Sequence, residues 1–329
     1  MDRIEKINHI CLLFLAGTAF TLVLYATKSV MVPFAFSVFI YSVIAPLLKK
    51  IQKKWKVPRP AAIGLALAAV LGFSVITFIF ISMSVKGFMM SADLYTEKLQ
   101  QFSTQFVDLL NLQGINIDAD FVKNETRQLL GVAGQLTSGV LNIFGDFILV
   151  VIFVLFMIGG SGARMKHNPL LDEIQDKIFQ YVTYKSVLSI MTGVLVGVIL
   201  AAFNIELAFL IAVLTIWLNF IPNFGSLVAS ALPIPVILVE YGFDWRLVTV
   251  LTLVGAIQFI VGNILEPKLL GDSMDLHPVT ILFFLVFWGV VWGIPGMFLA
   301  IPFTVILKIV LSRIESTKIL AEILAGRFA

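Results

Sequence analysis

Uncharged runs of about 20 residues, the length of a helix that crosses a bilayer, recur along this chain. Six of these runs are separated by polar connections and are predicted to be single spans: 10–27, 30–48, 61–85, 144–158, 186–203 and 247–265. With two longer runs, 207–239 and 279–307, the pattern predicts an all-α polytopic membrane protein with about eight hydrophobic segments.

Each longer run is interrupted near its middle. The first contains 33 residues and would measure about 50 Å as one helix, against a hydrocarbon core of about 30 Å. "NFIPNFGS" (219–226) interrupts this run, and "VWGIPGMF" (291–298) interrupts the second. Proline lacks a backbone N–H and glycine disfavours helix, so each run is predicted to be a broken hairpin. If the first break were only a packing irregularity, alanine at Pro222 and Gly225 would restore helix.

Open backbone at membrane depth is tolerated where it is buried in protein or lines a polar cavity. Residues of the two breaks and polar residues of span 247–265 are therefore candidates for substrate binding or gating: Asn219, Pro222, Asn223, Gly225, Ser226, Gln258, Asn263, Gly293, Pro295 and Gly296. Candidates for ion coupling follow at the end of that span: Glu266, Lys268, Asp272 and Asp275. Gln258, Asn263 and Glu266 do not share one helical face, so at most two can face one cavity.

The distribution of basic residues predicts the orientation. "KKIQKKWKVPR" (49–59) carries six basic residues and no acidic one, which places it on the cytoplasmic side. Both termini are then cytoplasmic. The first broken run enters and leaves from the outer side and the second from the cytoplasmic side, so residues 186–311 are predicted to form a transport core with an inverted repeat.

The remaining sequence divides into four further segments. Residues 1–90 are expected to hold three spans, 91–143 an extracytoplasmic helical hairpin, 144–185 the fourth span and an interfacial amphipathic helix, and 312–329 a cytoplasmic tail. "GVLVG" (193–197) predicts close helix packing within one subunit.

Composition excludes several classes of protein. Hydrophobic residues make up 59% of the chain, charged residues 13%, and the net charge of +3 is too small to indicate nucleic-acid binding. Cys11 is the only cysteine, so neither an intrachain disulfide nor a cysteine-based metal cluster is expected, and no cofactor is predicted. "GGSG" (159–162) matches the motif of intramembrane serine proteases, but Ser161 lacks a histidine on a facing span, so an enzyme is only a remote alternative.

Three motifs together resemble the AI-2E family of bacterial membrane proteins: "NFIPNFGS" from 219, "GNILEPKLLGDSMDLHP" from 262 and "GIPGMFLAIP" from 293. The resemblance implies a multi-pass protein of the bacterial cytoplasmic membrane that assembles as a homo-oligomer, specifically a pentamer, and has an elevator-like moving part. It also implies export of autoinducer-2, a small uncharged furanone sugar, or extrusion of sodium or lithium in exchange for protons.

The residues themselves favour an uncharged, oxygen-rich solute, because the centres of both broken runs carry no charge. The alternative, an antiporter of sodium or lithium against protons, needs a titratable carboxylate, for which Glu266 is the best candidate.

Overall fold

The computed structural model describes residues 3–55, 147–159 and 169–327, with scattered helical positions between 58 and 83. Within these residues every regular element is a helix and no strand is present, which confirms the all-α prediction. The predicted hairpin at 91–143 and Ser161 lie outside the described residues, as does the side chain of Asp272.

The described helices have the following bounds in chain order. They are α1 Arg3–Ala26, α2 Lys28–Trp55, α3 Phe147–Gly159, α4 Pro169–Ala202, α5 Ala208–Leu218, α6 Phe224–Ala231, α7 Pro233–Tyr241, α8 Trp245–Ile260, a π-helical turn Val261–Leu265, α9 Glu266–Met274, α10 Pro278–Trp292, α11 Ile294–Ser312, a 3₁₀ turn Glu315–Thr317 and α12 Lys318–Leu324.

Four of these helical segments are long and apolar enough to cross a membrane: Pro169–Ala202, Phe224–Tyr241, Trp245–Leu269 and Ile294–Ser312. Residues Leu15–Ala26 of α1 and Lys28–Ile44 of α2 pass the same test together, and their axes meet at 92° across the single residue Thr27. The sequence predicts two separate spans here, and the structure has two helices at these positions that meet at a sharp bend. The protein is therefore a multi-pass membrane protein with four or five candidate spans among the described residues.

Helix α4 joins two segments that the sequence treats separately. The predicted amphipathic segment and the span 186–203 form one helix of 34 residues without interruption. A helix of this length measures about 50 Å, so it extends about 20 Å beyond the hydrocarbon core. No proline or glycine separates the two parts near residue 185, which is why the helix continues.

The chain separates into two units, which are described one at a time. Unit 1 contains residues 1–56, 145–180 and 274–329, and unit 2 contains 57–144 and 181–273. In unit 2, α4 and α8 run antiparallel, because the Phe203 and Trp245 rings lie 5.8 Å apart at one end and Lys185 pairs with Glu266 at the other. Apolar residues of α4, α5, α7 and α8 fill the core between these ends.

Helix α5 packs on the glycine face of α4. A Cβ at Gly193 would overlap Ile216, and one at Gly197 would lie 2.8 Å from the Cβ of Ala212. The prediction that residues 193–197 provide a close-approach face within one subunit is confirmed. Because Ala212 lies beside Gly197 and Ile216 beside Gly193, α5 runs antiparallel to α4. Asn219, one turn after Ile216, therefore lies beside the part of α4 between Gly193 and Lys185.

The first predicted break is confirmed in unit 2. Helix α5 ends at Leu218, α6 begins at Phe224, and Asn223 adopts a φ of +57° between them. Helix α6 returns so closely that a Cβ at Gly225 would overlap the Leu218 carbonyl oxygen. An alanine at 225 would therefore clash with this carbonyl in the folded hairpin, so the contact requires glycine.

The second predicted break is confirmed in unit 1. Helix α10 ends at Trp292, and α11 begins at Ile294 after Gly293, which has a φ of +68°. A Cβ at Gly296 would overlap the Trp288 carbonyl oxygen, and the ring of Trp288 lies 4.7 Å from that of Phe303. Helices α10 and α11 therefore form a tight hairpin with an aromatic interface.

Alanine at Gly225 or Gly296 should lower the thermal stability of the protein, because each new methyl group must displace a helix carbonyl. Gly255→Ala is the matched control, since its Cβ meets nothing within 4 Å and alanine favours helix by about 1 kcal/mol. We expect unfolding in detergent at least about 3 °C lower for the two variants and unchanged or higher for the control. Equal stability of all three variants would contradict the close helix approach.

Candidate functional site

Unit 2 contains an unusual group of buried polar atoms. Five side-chain atoms lack a hydrogen-bond partner among the described residues: Tyr181 OH, Ser189 Oγ, Thr215 Oγ1, Asn219 Oδ1 and Gln258 Nε2. Each of these residues is at least nine-tenths buried. An unpaired buried polar group costs about 1–3 kcal/mol, so five in one unit are typical of a site that binds water or a polar ligand rather than of a packed core.

Four of the five residues lie in the same stretch of the bundle, about 6–14 Å by helical rise from the pair of Lys185 and Glu266. Lys185 and Glu266 pair at one end of the α4–α8 contact, and Thr192 on α4 and Gln258 on α8 lie about 10 Å and about 12 Å from that end by helical rise. The packing of Gly193 on Ile216 brings Thr215 and Asn219 to the same level. We name the group Ser189, Thr192, Thr215, Asn219 and Gln258 the polar layer.

A π-helical turn explains which residues of the α8–α9 segment face α4. In a regular helix, eight residues separate the directions of Gln258 and Glu266 by about 80°. The π turn at Val261–Leu265 absorbs one extra residue and reduces this difference to about 20°. Gln258 is buried and Glu266 bonds to Lys185 of α4, so both face the same helix.

Asn263 lies on a different side of that segment. Its side chain is exposed, and its Nδ2 donates a hydrogen bond of 3.2 Å to the Phe259 carbonyl of its own helix. Of these three candidates, only Gln258 and Glu266 share a face of the segment, and Asn263 lies off that face. The structure therefore brings Asn219 and Gln258 into the polar layer and leaves Asn263 outside it.

Below the polar layer lies the charge pair of Lys185 and Glu266. The Lys185 Nζ donates a hydrogen bond to Glu266 Oε1, and the side chains are 3% and 24% exposed. Lys268, a further ion-coupling candidate, is exposed. Glu266, the carboxylate that the sequence indicates, thus pairs with a lysine on another helix. That lysine, Lys185, is not one of the candidates that the sequence indicates.

The other predicted residues of the first break shape its turn. Pro222 is buried, Asn223 is exposed, and the Ser226 Oγ donates a hydrogen bond of 2.9 Å to the Asn223 carbonyl. Gly225 provides the close contact with Leu218. These residues position the chain beside Asn219, the one residue of the break whose buried side chain has an unpaired oxygen.

The predicted residues of the second break lie in unit 1. Gly293 is exposed, Pro295 is half-buried in the first turn of α11, and Gly296 is buried against Trp288. The indole N–H of Trp292, the last residue before the break, donates a hydrogen bond of 3.0 Å to the Leu24 carbonyl of α1. The contact of Gly296 holds α10 and α11 together, and the hydrogen bond of Trp292 attaches this hairpin to α1.

Asp275 holds the C-terminal segment of unit 1. Its carboxylate accepts hydrogen bonds from Lys308 and from Arg327, and the neighbouring His277 N–H donates to the Leu324 carbonyl at 3.0 Å. Partial burial disfavours the charged form, but the hydrogen bond and charge of Lys308, with Arg327, hold the pKa of Asp275 below its ordinary value. These contacts favour a structural role for this ion-coupling candidate.

Sequence reasoning missed Tyr181, Lys185, Ser189 and Thr215. A helical spacing of four connects Tyr181, Lys185 and Ser189, and this polar stripe entering an uncharged run is the signal that could have identified them. Thr215 gives no such signal, because a single hydroxyl in an apolar helix ordinarily bonds to the preceding turn.

Comparisons with known proteins agree with the motifs. The sequence profile described as AI-2E family transporter matches residues 10–316. The AI-2 transport protein TqsA of Escherichia coli is 27% identical over 90% of this chain and 89% of its own length. A protein of Haemophilus influenzae named as a candidate transport protein is 30% identical over 92% of this chain and 93% of its own length.

The contact between Asp275 and the C-terminal segment should weaken in acid. The lowered pKa means that the carboxylate stabilises the fold above about pH 4, the ordinary aspartate value, and that this contribution is lost as the pH falls through the lowered pKa. We expect Asp275→Asn to unfold about 1–3 °C below the wild type at pH 6, and the difference to shrink progressively as the pH falls below the ordinary aspartate value. A difference that stays constant across this range would contradict the ionic contribution.

Proposed function

The chain belongs to the AI-2E family of transporters, and from this premise we propose that it exports a small, uncharged, autoinducer-2-like solute by alternating access. The proposal rests on one observation above all, the group of unpaired buried polar atoms beside the first break. Membrane transport itself follows from the family; the solute, the direction and the mechanism are parts of the proposal.

The chemistry of the polar layer matches a hydroxylated solute. Asn219 offers an unpaired acceptor, Gln258 an unpaired donor, and Ser189 and Thr215 hydroxyls that can do both. Such a mixed set suits a ligand whose hydroxyl groups donate and accept at once. The break beside Asn219 adds backbone groups that a continuous helix would use internally.

The electrostatics also favour an uncharged solute. The side chains of the polar layer carry no formal charge, and the nearby carboxylate of Glu266 is neutralised by Lys185. A site for a bare cation ordinarily supplies oxygen ligands without a competing ammonium group. Sodium or lithium exchange against protons on the same scaffold is the alternative, and direct measurement of both solutes separates the two functions.

The remaining parts of the proposal come from the family resemblance. We propose an elevator-like movement of the transport core, a homo-oligomeric and specifically pentameric assembly, and a location in the bacterial cytoplasmic membrane with both termini inside. The inverted repeat of 186–311 stays a prediction, supported by two breaks that each place a positive φ before a close glycine contact.

Asn219→Ala and Gln258→Ala should separate function from stability. Each removes a buried group that lacks a partner among the described residues, so thermal stability should stay equal or rise, whereas solute efflux from proteoliposomes should fall about tenfold for each lost ligand hydrogen bond. Asn263→Ala is the matched control, because this exposed amide bonds to its own helix, and its efflux should stay within about twofold of the wild type.

The same proteoliposomes distinguish the solutes. Efflux of a radiolabelled neutral furanone sugar and of radiolabelled sodium is measured with a proton gradient imposed and with the gradient collapsed. Saturable movement of the sugar that Asn219→Ala weakens supports the proposal. Movement of sodium alone, driven by the proton gradient, would replace it with the antiporter function.

A further inference from the structure

Lys185 occupies a position where a lysine is costly. Its side chain is only 3% exposed, and it lies in helix α4, a segment long and apolar enough to cross a membrane. Ionisable residues inside membrane bundles are rare and generally face a partner or a functional cavity. Lys185 has such a partner in Glu266 of the neighbouring α8–α9 segment.

The geometry of that segment brings the two charges together. The π-helical turn at Val261–Leu265 rotates Glu266 onto the face that carries Gln258, toward α4. Without this turn the carboxylate would point about 80° away from Gln258. Deviations of this kind are frequent at functional sites, because a regular helix is otherwise more stable.

We propose that Lys185 is the specificity-determining residue of the transport site. Its ammonium group pairs with the Glu266 carboxylate and takes the place that a small cation would otherwise fill. The site is therefore neutral, admits an uncharged solute and excludes small cations. This inference rests on the proposed function for the location of the solute. The occupancy of the carboxylate is independent of transport and can be measured in the purified protein.

The charge balance makes the inference testable. With both residues present the pair sums to zero, and without Lys185 a partly buried carboxylate is left with a charge of minus one. A small monovalent cation that binds there restores neutrality and stabilises the fold by mass action. Removal of both charges together again leaves a neutral site without an ion-binding group.

Thermal unfolding of the purified full-length protein measures this occupancy. Lithium, sodium and choline chloride are compared at constant ionic strength. We expect no cation-specific shift for the wild type or for Lys185→Arg, which keeps the positive charge. Lys185→Met should unfold at a lower temperature and regain about 5 °C or more, saturably, with lithium or sodium but not with choline.

Lys185→Met/Glu266→Gln is the matched control. It should unfold near the wild-type temperature without cation dependence, because an ion pair replaced by uncharged residues of similar size is often tolerated. Where Lys185→Met does not fold, Lys185→Gln serves in its place, since its amide can still donate to the Glu266 carboxylate without carrying a charge.

Two results would overturn the inference. A saturable shift of the wild type with lithium or sodium would show that the carboxylate already accepts cations in the presence of Lys185. The absence of any shift in both Lys185→Met and Lys185→Gln would show that Lys185 does not occupy a cation site. Neither result depends on solute efflux, so the proposed function can survive either of them.

Discussion

The hydrocarbon core of a membrane offers no hydrogen bonds, and this constraint decides where polar side chains can lie in this protein. In the described residues, most hydroxyl groups of the helices satisfy it locally; Thr192, for example, donates to the Leu188 carbonyl one turn earlier. Ser189, Thr215, Asn219 and Gln258 do not, although all four are buried. These four residues lie in one unit, beside the first break, and their unpaired atoms are the basis of the proposed solute site.

Local backbone geometry supports this arrangement on both sides of the polar layer. The break at 219–223 ends α5 directly beside Asn219, and the overlap of Gly225 with Leu218 holds the returning helix close. The π turn at Val261–Leu265 keeps Gln258 and Glu266 on one face. Two departures from regular helix therefore orient side chains that lie far apart in sequence, and both have a structural cost that a continuous span would avoid.

The sequence predicts the breaks because their causes are local. Proline, glycine and an asparagine with positive φ are visible without tertiary information, and Asn219 and Gln258 stand out as polar residues in apolar runs. The pairing of Lys185 with Glu266 depends on contact between two helices, and nothing in "VGNIL" predicts a π turn. The sequence indicates Asn263 for the same reason as Gln258, and only the position of each residue around the helix distinguishes them.

The central claim is that the polar layer binds the transported solute, and a cysteine at Ser189 tests it most directly. Ser189→Cys replaces one buried oxygen by sulfur, and Cys11→Ser removes the exposed natural thiol. The rate at which a small neutral methanethiosulfonate reagent labels this cysteine is measured against solute concentration. We expect slow labelling that the solute suppresses, with the same half-saturation as efflux. Labelling that is independent of solute, in a variant that still transports it, would contradict the assignment.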